Sequence, residues 1–260
     1  MKTLGLALGS GGSRGVAHIG FLKALEEEGV YPDYITGTSM GALVGAAYAA
    51  GVDSDTLKDI VLNLSLLDFI SLSGRRGGVS GTKKVRELLI KYLGDITFAD
   101  LKIPFKCYAV DMISQKLIEF SEGSVIDAAI ASATLPVVFH PYHKNGMRLI
   151  DGGVLERVPA EQVKAMGAEI VVAVDVLGQR QCSEECPNVV RILLEMIDIM
   201  DNYRTVQRRE ENKDIIDFWI EPDLGNMSQY EMKQIEFAYE MGYETGKVHA
   251  ADIKKALLKK

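Results

Sequence analysis

Hydrophobic positions in this chain change period repeatedly, from short continuous runs to spacings of three and four. Leu4–Leu8 is a five-residue run that reads as a buried strand. A turn follows at Gly9-Ser10-Gly11-Gly12-Ser13-Arg14-Gly15. Val16–Glu28 then carries apolar residues at Val16, Ile19, Leu22 and Leu25, the spacing of one helix face, and Gly29 is a stop signal. Tyr34–Thr36 predicts a second strand, and Ala42–Ala50 is a run of small apolar residues suited to a helix buried against a sheet. Further strands are expected at Phe105–Val110, Lys116–Phe120, Arg148–Ile150, Glu169–Val176 and Ile215–Ile220. Helices are expected at Ser54–Leu64, Lys83–Tyr92, Ile126–Ala133, Val189–Lys213 and Gln229–Leu258. This alternation implies an α/β fold with a mostly parallel central sheet and helices on both faces. Ser71–Thr82, with four glycines in twelve residues, reads as a mobile loop.

Composition narrows the class. At 260 residues with no linker, repeat or low-complexity tract, the chain reads as one domain, 1–260. Its motif-bearing core is about 1–180 and a helical extension about 187–260. The net charge of −7 argues against a protein that holds nucleic acid by general electrostatic attraction. Three cysteines make no disulfide framework and fit a reducing, cytoplasmic setting. The apolar start is too short, and its single lysine too little, for a secretory leader, so a first strand is the better reading. No stretch reaches the roughly 18–20 apolar residues of a membrane span, which leaves peripheral contact as the only membrane role expected.

Candidate chemistry starts at Gly37-Thr38-Ser39-Met40-Gly41, between a strand-like and a helix-like run. A serine on a tight strand-to-helix turn needs neighbours without side chains at Gly37 and Gly41. The turn lifts its hydroxyl clear of the sheet and points a helix N-terminus at it. The plain alternative is a glycine-flanked turn whose serine caps a helix. A nucleophile that attacks an ester also needs donors for the developing oxyanion. The N–H groups of Gly11 and Gly12 can approach a ligand closely, and Arg14 can either add positive charge or anchor the loop. A dinucleotide fingerprint is the competing reading of Gly9–Gly15, but its glycine spacing fails in either register.

The base is open on residues alone. His18, His140, His143 and His249 are the only histidines, and none has the setting of a triad member. Asp111, Asp151 and Asp175 each follow a strand, where ligands bind in open α/β sheets, and each has a plain reading as a turn residue or helix cap. Spacing does not rank Asp151 above the other two.

Four segments together resemble one family. Leu8–Gly15, Gly37–Gly45, Ala131-Ser132-Ala133-Thr134-Leu135-Pro136 and Asp151-Gly152-Gly153 are similar, in order, to the bacterial patatin-like phospholipases. That group is related to plant storage acyl hydrolases and to the catalytic domain of neuropathy target esterase. The resemblance covers about the first 160 residues and departs from the family at Ser10, where a third consecutive glycine is common. It implies a three-layer α/β/α fold and a serine acyl-ester hydrolase with a Ser39–Asp151 dyad. It also implies an oxyanion hole at Gly11 and Gly12 with Arg14 beside them, and no metal or cofactor.

The expected partner is a lipid or other acyl ester, phospholipid or lysophospholipid first, with homo-oligomers possible. Leu66–Thr82, apolar and bearing Arg75 and Arg76, reads either as a lid over an acyl pocket or as a helix end and solvated turn. The stripe within Val189–Lys213 reads as core. Lys254, Lys255, Lys259 and Lys260 form a basic tail, solvated or touching a membrane. Cys182 and Cys186 read as free thiols, since a zinc site would need a second pair. Two rivals are a nucleotide-binding regulator using Gly9–Gly15 and a weakly active lipid-binding scaffold.

Overall fold

The computed structural model of the chain describes residues 1–62, 79–178, 188–230 and 232–259, with 79–84 described through their backbone alone. Of the expected lid Leu66–Thr82, residues 66–78 with Arg75 and Arg76 lie outside the described residues, as do the Cys182–Cys186 pair and Lys260.

The strands are β1 (Leu4–Leu8), β2 (Tyr34–Thr38), β3 (Phe105–Asp111), β4 (Lys116–Phe120), β5 (Tyr142–Lys144), β6 (Met147–Asp151), β7 (Ile170–Val174) and β8 (Phe218–Ile220). They form one sheet in the order β5-β6-β3-β2-β1-β7-β8, with β4 also on β3. The run β3-β2-β1-β7-β8 is parallel, while β4 and β6 lie antiparallel to β3. The helices are α1 (Ala17–Glu27), α2 (Met40–Ala49), α3 (Ser54–Leu62), α4 (Val79–Leu93), α5 (Val125–Ser132), α6 (Ala160–Ala165), α7 (Val189–Glu211) and α8 (Ile235–Leu258).

Side-chain alternation divides the central strands between two cores. Leu4, Leu6, Leu8, Ile170, Val172 and Val174 face one layer with Phe21 and Leu22 of α1, Ala46 of α2 and Ile253 of α8. Ala7, Val171 and Ala173 face the other, where Ala160 and Val163 of α6 cover them. The result is an α/β/α arrangement of three layers, as expected, with the second helical layer the thinner one.

Several boundaries differ from expectation. α4 begins at Val79, inside the stretch read as a loop up to Thr82. α8 begins at Ile235 and not at Gln229, because the Gln229 carbonyl accepts the Ser13 N–H at 3.0 Å and holds the glycine loop. β5 and α6, three and six residues long, are too short to show a period. The hairpin between β5 and β6 nevertheless has a sequence signal in Asn145-Gly146, whose φ values of 49° and 79° are those of a tight primed turn. The basic tail is partly used up, since Lys254 donates to the Glu28 carbonyl at 2.8 Å.

The pairing around β3 positions the site. β4 occupies one edge of β3 from Cys107 to Asp111, so β2 and β6 share the opposite edge in succession. Thr38 of β2 pairs with Tyr108, and Asp151 of β6 pairs with Ala109, the next residue along. The end of one strand therefore meets the end of another, although 112 residues separate Ser39 from Asp151.

Candidate active site

Ser39 alone makes the turn between β2 and α2 and adopts φ 56°, ψ −120°. A side chain in that region costs of order 1–3 kcal/mol and persists only where the surroundings enforce it. Here the Ser39 carbonyl accepts the Ala42 and Leu43 N–H groups at 2.9 and 3.1 Å, and its own N–H donates to Ser132 Oγ at 2.9 Å. The flanking glycines are required by close approach. A Cβ on Gly37 would lie 2.4 Å from the Gly41 carbonyl oxygen, and one on Gly41 2.2 Å from that of Leu8.

Ser39 Oγ donates to Asp151 Oδ2 at 2.5 Å, and the Gly153 N–H donates to Asp151 Oδ1 at 2.8 Å. The Asp151 backbone N–H is held by the Thr134 carbonyl at 2.8 Å. Both side chains are buried, and burial pushes the Asp151 carboxyl up to about 6 against the opposing pull of the Ser39 and Gly153 hydrogen bonds. A carboxyl poised there is ionised at neutral pH yet basic enough to take a proton from a hydroxyl.

The other candidates sit elsewhere. Asp111 accepts from Ser114 Oγ and from the N–H groups of Ile113, Ser114 and Arg148, which makes it a turn cap. The Ser114 hydroxyl is the main cause of its fall to about 2. Asp175 is ion-paired with Arg157 at 2.9 Å and accepts the Leu177 N–H at 3.1 Å. His140 and His143 are exposed and His249 is half-buried in α8. His18 is fully buried in α1 with Nε2 2.8 Å from the Gly9 carbonyl. Burial lowers it to about 4, so it is neutral at neutral pH and donates from Nε2, bracing the start of the glycine loop.

In that loop Gly12 has φ 51°, and a Cβ there would lie 2.2 Å from the Gln229 carbonyl oxygen. Among the described residues the Gly11 and Gly12 N–H groups have no backbone acceptor. Arg14 is buried, and its guanidinium donates to the carbonyls of Val176, Leu177, Gly225 and Met227 at 2.7 to 3.2 Å. It straps the loop to the chain after β7 and after β8.

Gly11, Gly12, Ser39 and Asp151 open onto a cavity of about 670 Å³. Its remaining wall is mostly aliphatic and aromatic, with Leu43, Val44, Leu57, Leu89, Ile130 and Phe139 among the lining side chains. That size and lining suit a small-molecule ligand with a long apolar part. Ser132, which fixes the Ser39 amide, and α4, which supplies one wall, had no role assigned from sequence. Both act through contacts between segments far apart in the chain. Among the described residues no group of His, Cys, Asp and Glu is placed to hold a metal ion, and no helix is long and apolar enough to cross a membrane.

Residues 6–164 match the family model for patatin-like phospholipase. Over 177 residues the chain is 36% identical to an uncharacterised NTE family protein of Mycobacterium bovis, a stretch covering 66% of this chain and 49% of that protein. Over 181 residues it is 32% identical to the lysophospholipase nte1 of Aspergillus fumigatus, covering 67% of this chain and 12% of the relative. The chain thus spans about half of the mycobacterial protein and a small part of the fungal one. VipD from Legionella pneumophila has the same fold, with a TM-score of 0.63 at 13% identity, over 98% of this chain and 67% of VipD.

Proposed function

The chain belongs to the patatin-like phospholipase family, and from that premise we propose that it hydrolyses lipid acyl esters through a Ser39–Asp151 dyad, with phospholipid or lysophospholipid as the substrate class. The observation that carries this reading is the 2.5 Å hydrogen bond from a strained, buried serine to a carboxylate in the wall of a mostly apolar cavity.

Ser39 Oγ attacks the ester carbonyl carbon while its proton passes to Asp151 Oδ2. The carbonyl oxygen becomes an oxyanion that accepts from the Gly11 and Gly12 N–H groups, beside the N-terminus of α2. Collapse of this intermediate expels the alcohol, which takes the proton from Asp151, and leaves an acyl-serine. Water then attacks the acyl carbon, Asp151 again takes the proton, and the carboxylic acid departs with Ser39 restored. Arg14 serves as a positioning residue, because its donors are directed at loop carbonyls. Ser132 holds the nucleophile's backbone. The alternative of a phosphate cradle finds little support: the loop directs no cation into the cavity, and the cavity wall is mostly apolar.

The test is hydrolysis of a chromogenic short-chain ester and labelling by a fluorophosphonate. Ser39→Ala and Asp151→Ala are expected to lose turnover by about 10³-fold or more, and Ser39→Ala to lose all labelling. Asp175→Asn, folded and assayed alongside, is expected to keep both. Turnover in a folded Asp151→Ala chain equal to that of the parent removes the dyad.

A further inference from the structure

The outer surface of α7 is built inside out. From Val189 to Tyr203 its exposed residues include Val189, Val190, Ile192, Leu193, Met196, Ile199, Met200 and Tyr203, all apolar or aromatic. Acids of the same stretch are used internally. Glu195 accepts from Arg191 at 2.8 Å, Asp198 from Gln229 and Tyr230 at 2.7 and 2.8 Å, and Asp201 from Arg157 at 3.1 Å. An ordinary surface helix shows the reverse arrangement. The exposed positions recur at three and four residues and make one stripe about 21 Å long. That is a contiguous patch and not the scatter of single apolar residues normal on a protein surface.

Two features identify what covers it. The stripe is graded along the helix axis: aliphatic residues come first, Tyr203 follows, then Arg204, and a charged last turn with Arg208, Arg209, Glu210 and Glu211 lies beyond it, all exposed. Arg208 lies 3.6 to 3.9 Å from Glu156, Glu161 and Glu211 and Arg209 2.8 Å from Glu221, while Arg204 donates to the Leu155 carbonyl at 3.5 Å and forms no ion pair among the described residues. Aliphatic, aromatic and then cationic is the order of hydrocarbon, interface and anionic headgroups. The inner face of the same helix, through Leu194 and Ile197, lines the cavity that holds Ser39. One helix thus forms a wall of the acyl cavity, through Leu194, Ile197, Asp198 and Asp201, and presents an apolar exterior on its other side.

We infer that the outer face of α7, from Val189 to Tyr203 with Arg204 behind it, is the surface by which this protein lies on an anionic lipid bilayer and takes up its substrate. The inference rests on the proposed lipid-ester function, but its test does not depend on turnover. The helix enters the interface obliquely with its Val189 end deepest, because the gradient runs along its axis and its inward acids bar full insertion.

The experiment uses the full chain carrying Ser39→Ala, which binds without consuming lipid, and co-sedimentation with vesicles of phosphatidylcholine alone or mixed equally with phosphatidylglycerol. The Ser39→Ala chain is expected to sediment with vesicles, more strongly when phosphatidylglycerol is present. Adding Met196→Glu, Ile199→Glu and Met200→Glu is expected to weaken partitioning at least about tenfold. Arg204→Gln is expected to cost about fivefold on the anionic vesicles and little on phosphatidylcholine. The same substitutions in the Ser39 chain leave hydrolysis of a soluble ester within about twofold, which shows that they fold. Equal sedimentation of the parent and the triple variant overturns the inference. So does a parent that runs as a dimer in solution and is split to monomers by the triple substitution, which would assign the face to a second copy. If the soluble ester is not hydrolysed but the Ser39→Ala chain still sediments through this face, the surface stands and the enzymatic reading falls.

Discussion

Asp151, the proposed base, is buried at the expense of stability. Its carboxyl titrates at about 6, against an ordinary 3.8. The folded state therefore binds the proton more tightly than the unfolded one, and the associated stability is complete below about pH 4 and lost as pH rises through 6. The difference between the two states corresponds to about 3 kcal/mol at most. Asp151→Asn, which removes the charge and keeps the shape, is expected to raise the melting temperature relative to the parent at pH 8. That gain should vanish by pH 4, while ester hydrolysis is abolished at every pH. In the parent, turnover is expected to fall about tenfold per unit below pH 6, as the base becomes protonated. A rate that stays flat from pH 7 to pH 4 would rule out Asp151 as the base. Ser39 has the complementary role, its strained backbone held by Ser132 and by the first turn of α2.

At the scale of elements, the site depends on how closely α2 lies against β1. Gly41 faces the carbonyls of Leu8 and Gly9, where a methyl group would stand 2.2 and 2.6 Å away. Gly41→Ala is expected to force the helix off the strand, at a cost of about 1–3 kcal/mol read from a urea transition. Because the helix carries Ser39 at its start, turnover is expected to fall about 100-fold, the usual consequence of an ångström of misplacement. Unchanged turnover would mean that the elbow can be rebuilt elsewhere on α2. This demand for glycine was legible in the sequence, since the pattern Gly37-Thr38-Ser39-Met40-Gly41 states it locally. The roles of Ser132 at the end of α5 and of Thr134 just after it were not, because their segment marks the family resemblance but nothing local tells that they will hold the backbones of Ser39 and Asp151.

At the scale of the whole molecule, a buried ion network joins the segment after the dyad to the C-terminal third. Arg157 donates to Asp175 beyond β7 at 2.9 Å and to Asp201 of α7 at 3.1 Å. Burial drives Asp201 up to about 7, with Arg157 the main influence pulling it down. Arg157→Met leaves two buried carboxylates without their cation and is expected to cost about 3–5 kcal/mol in a urea transition at pH 8. Adding Asp201→Asn is expected to restore a part of that loss, and strict additivity of the two changes would show that they are not coupled. The stripe of α7, read from sequence as core, faces outward over its first half. Periodicity reports that a helix has an apolar face, and only the packed neighbours decide whether that face looks inward.

The order of strands and helices, the turn that presents Ser39 and the glycines of the Gly9–Gly15 loop follow from local pattern, because strand runs, helical spacing and tight turns are set by residues near one another in the chain. The choice among three aspartates does not. Each follows a strand, and nothing within reach of Asp111, Asp151 or Asp175 in the sequence tells which will face Ser39. That choice is made by β3, whose one edge pairs first with β2 and then with β6, so that Thr38 and Asp151 oppose neighbouring residues. Hydrogen-bond register between strands distant in the chain is a property of the assembled sheet, and it decides which carboxylate accepts the Ser39 hydrogen bond.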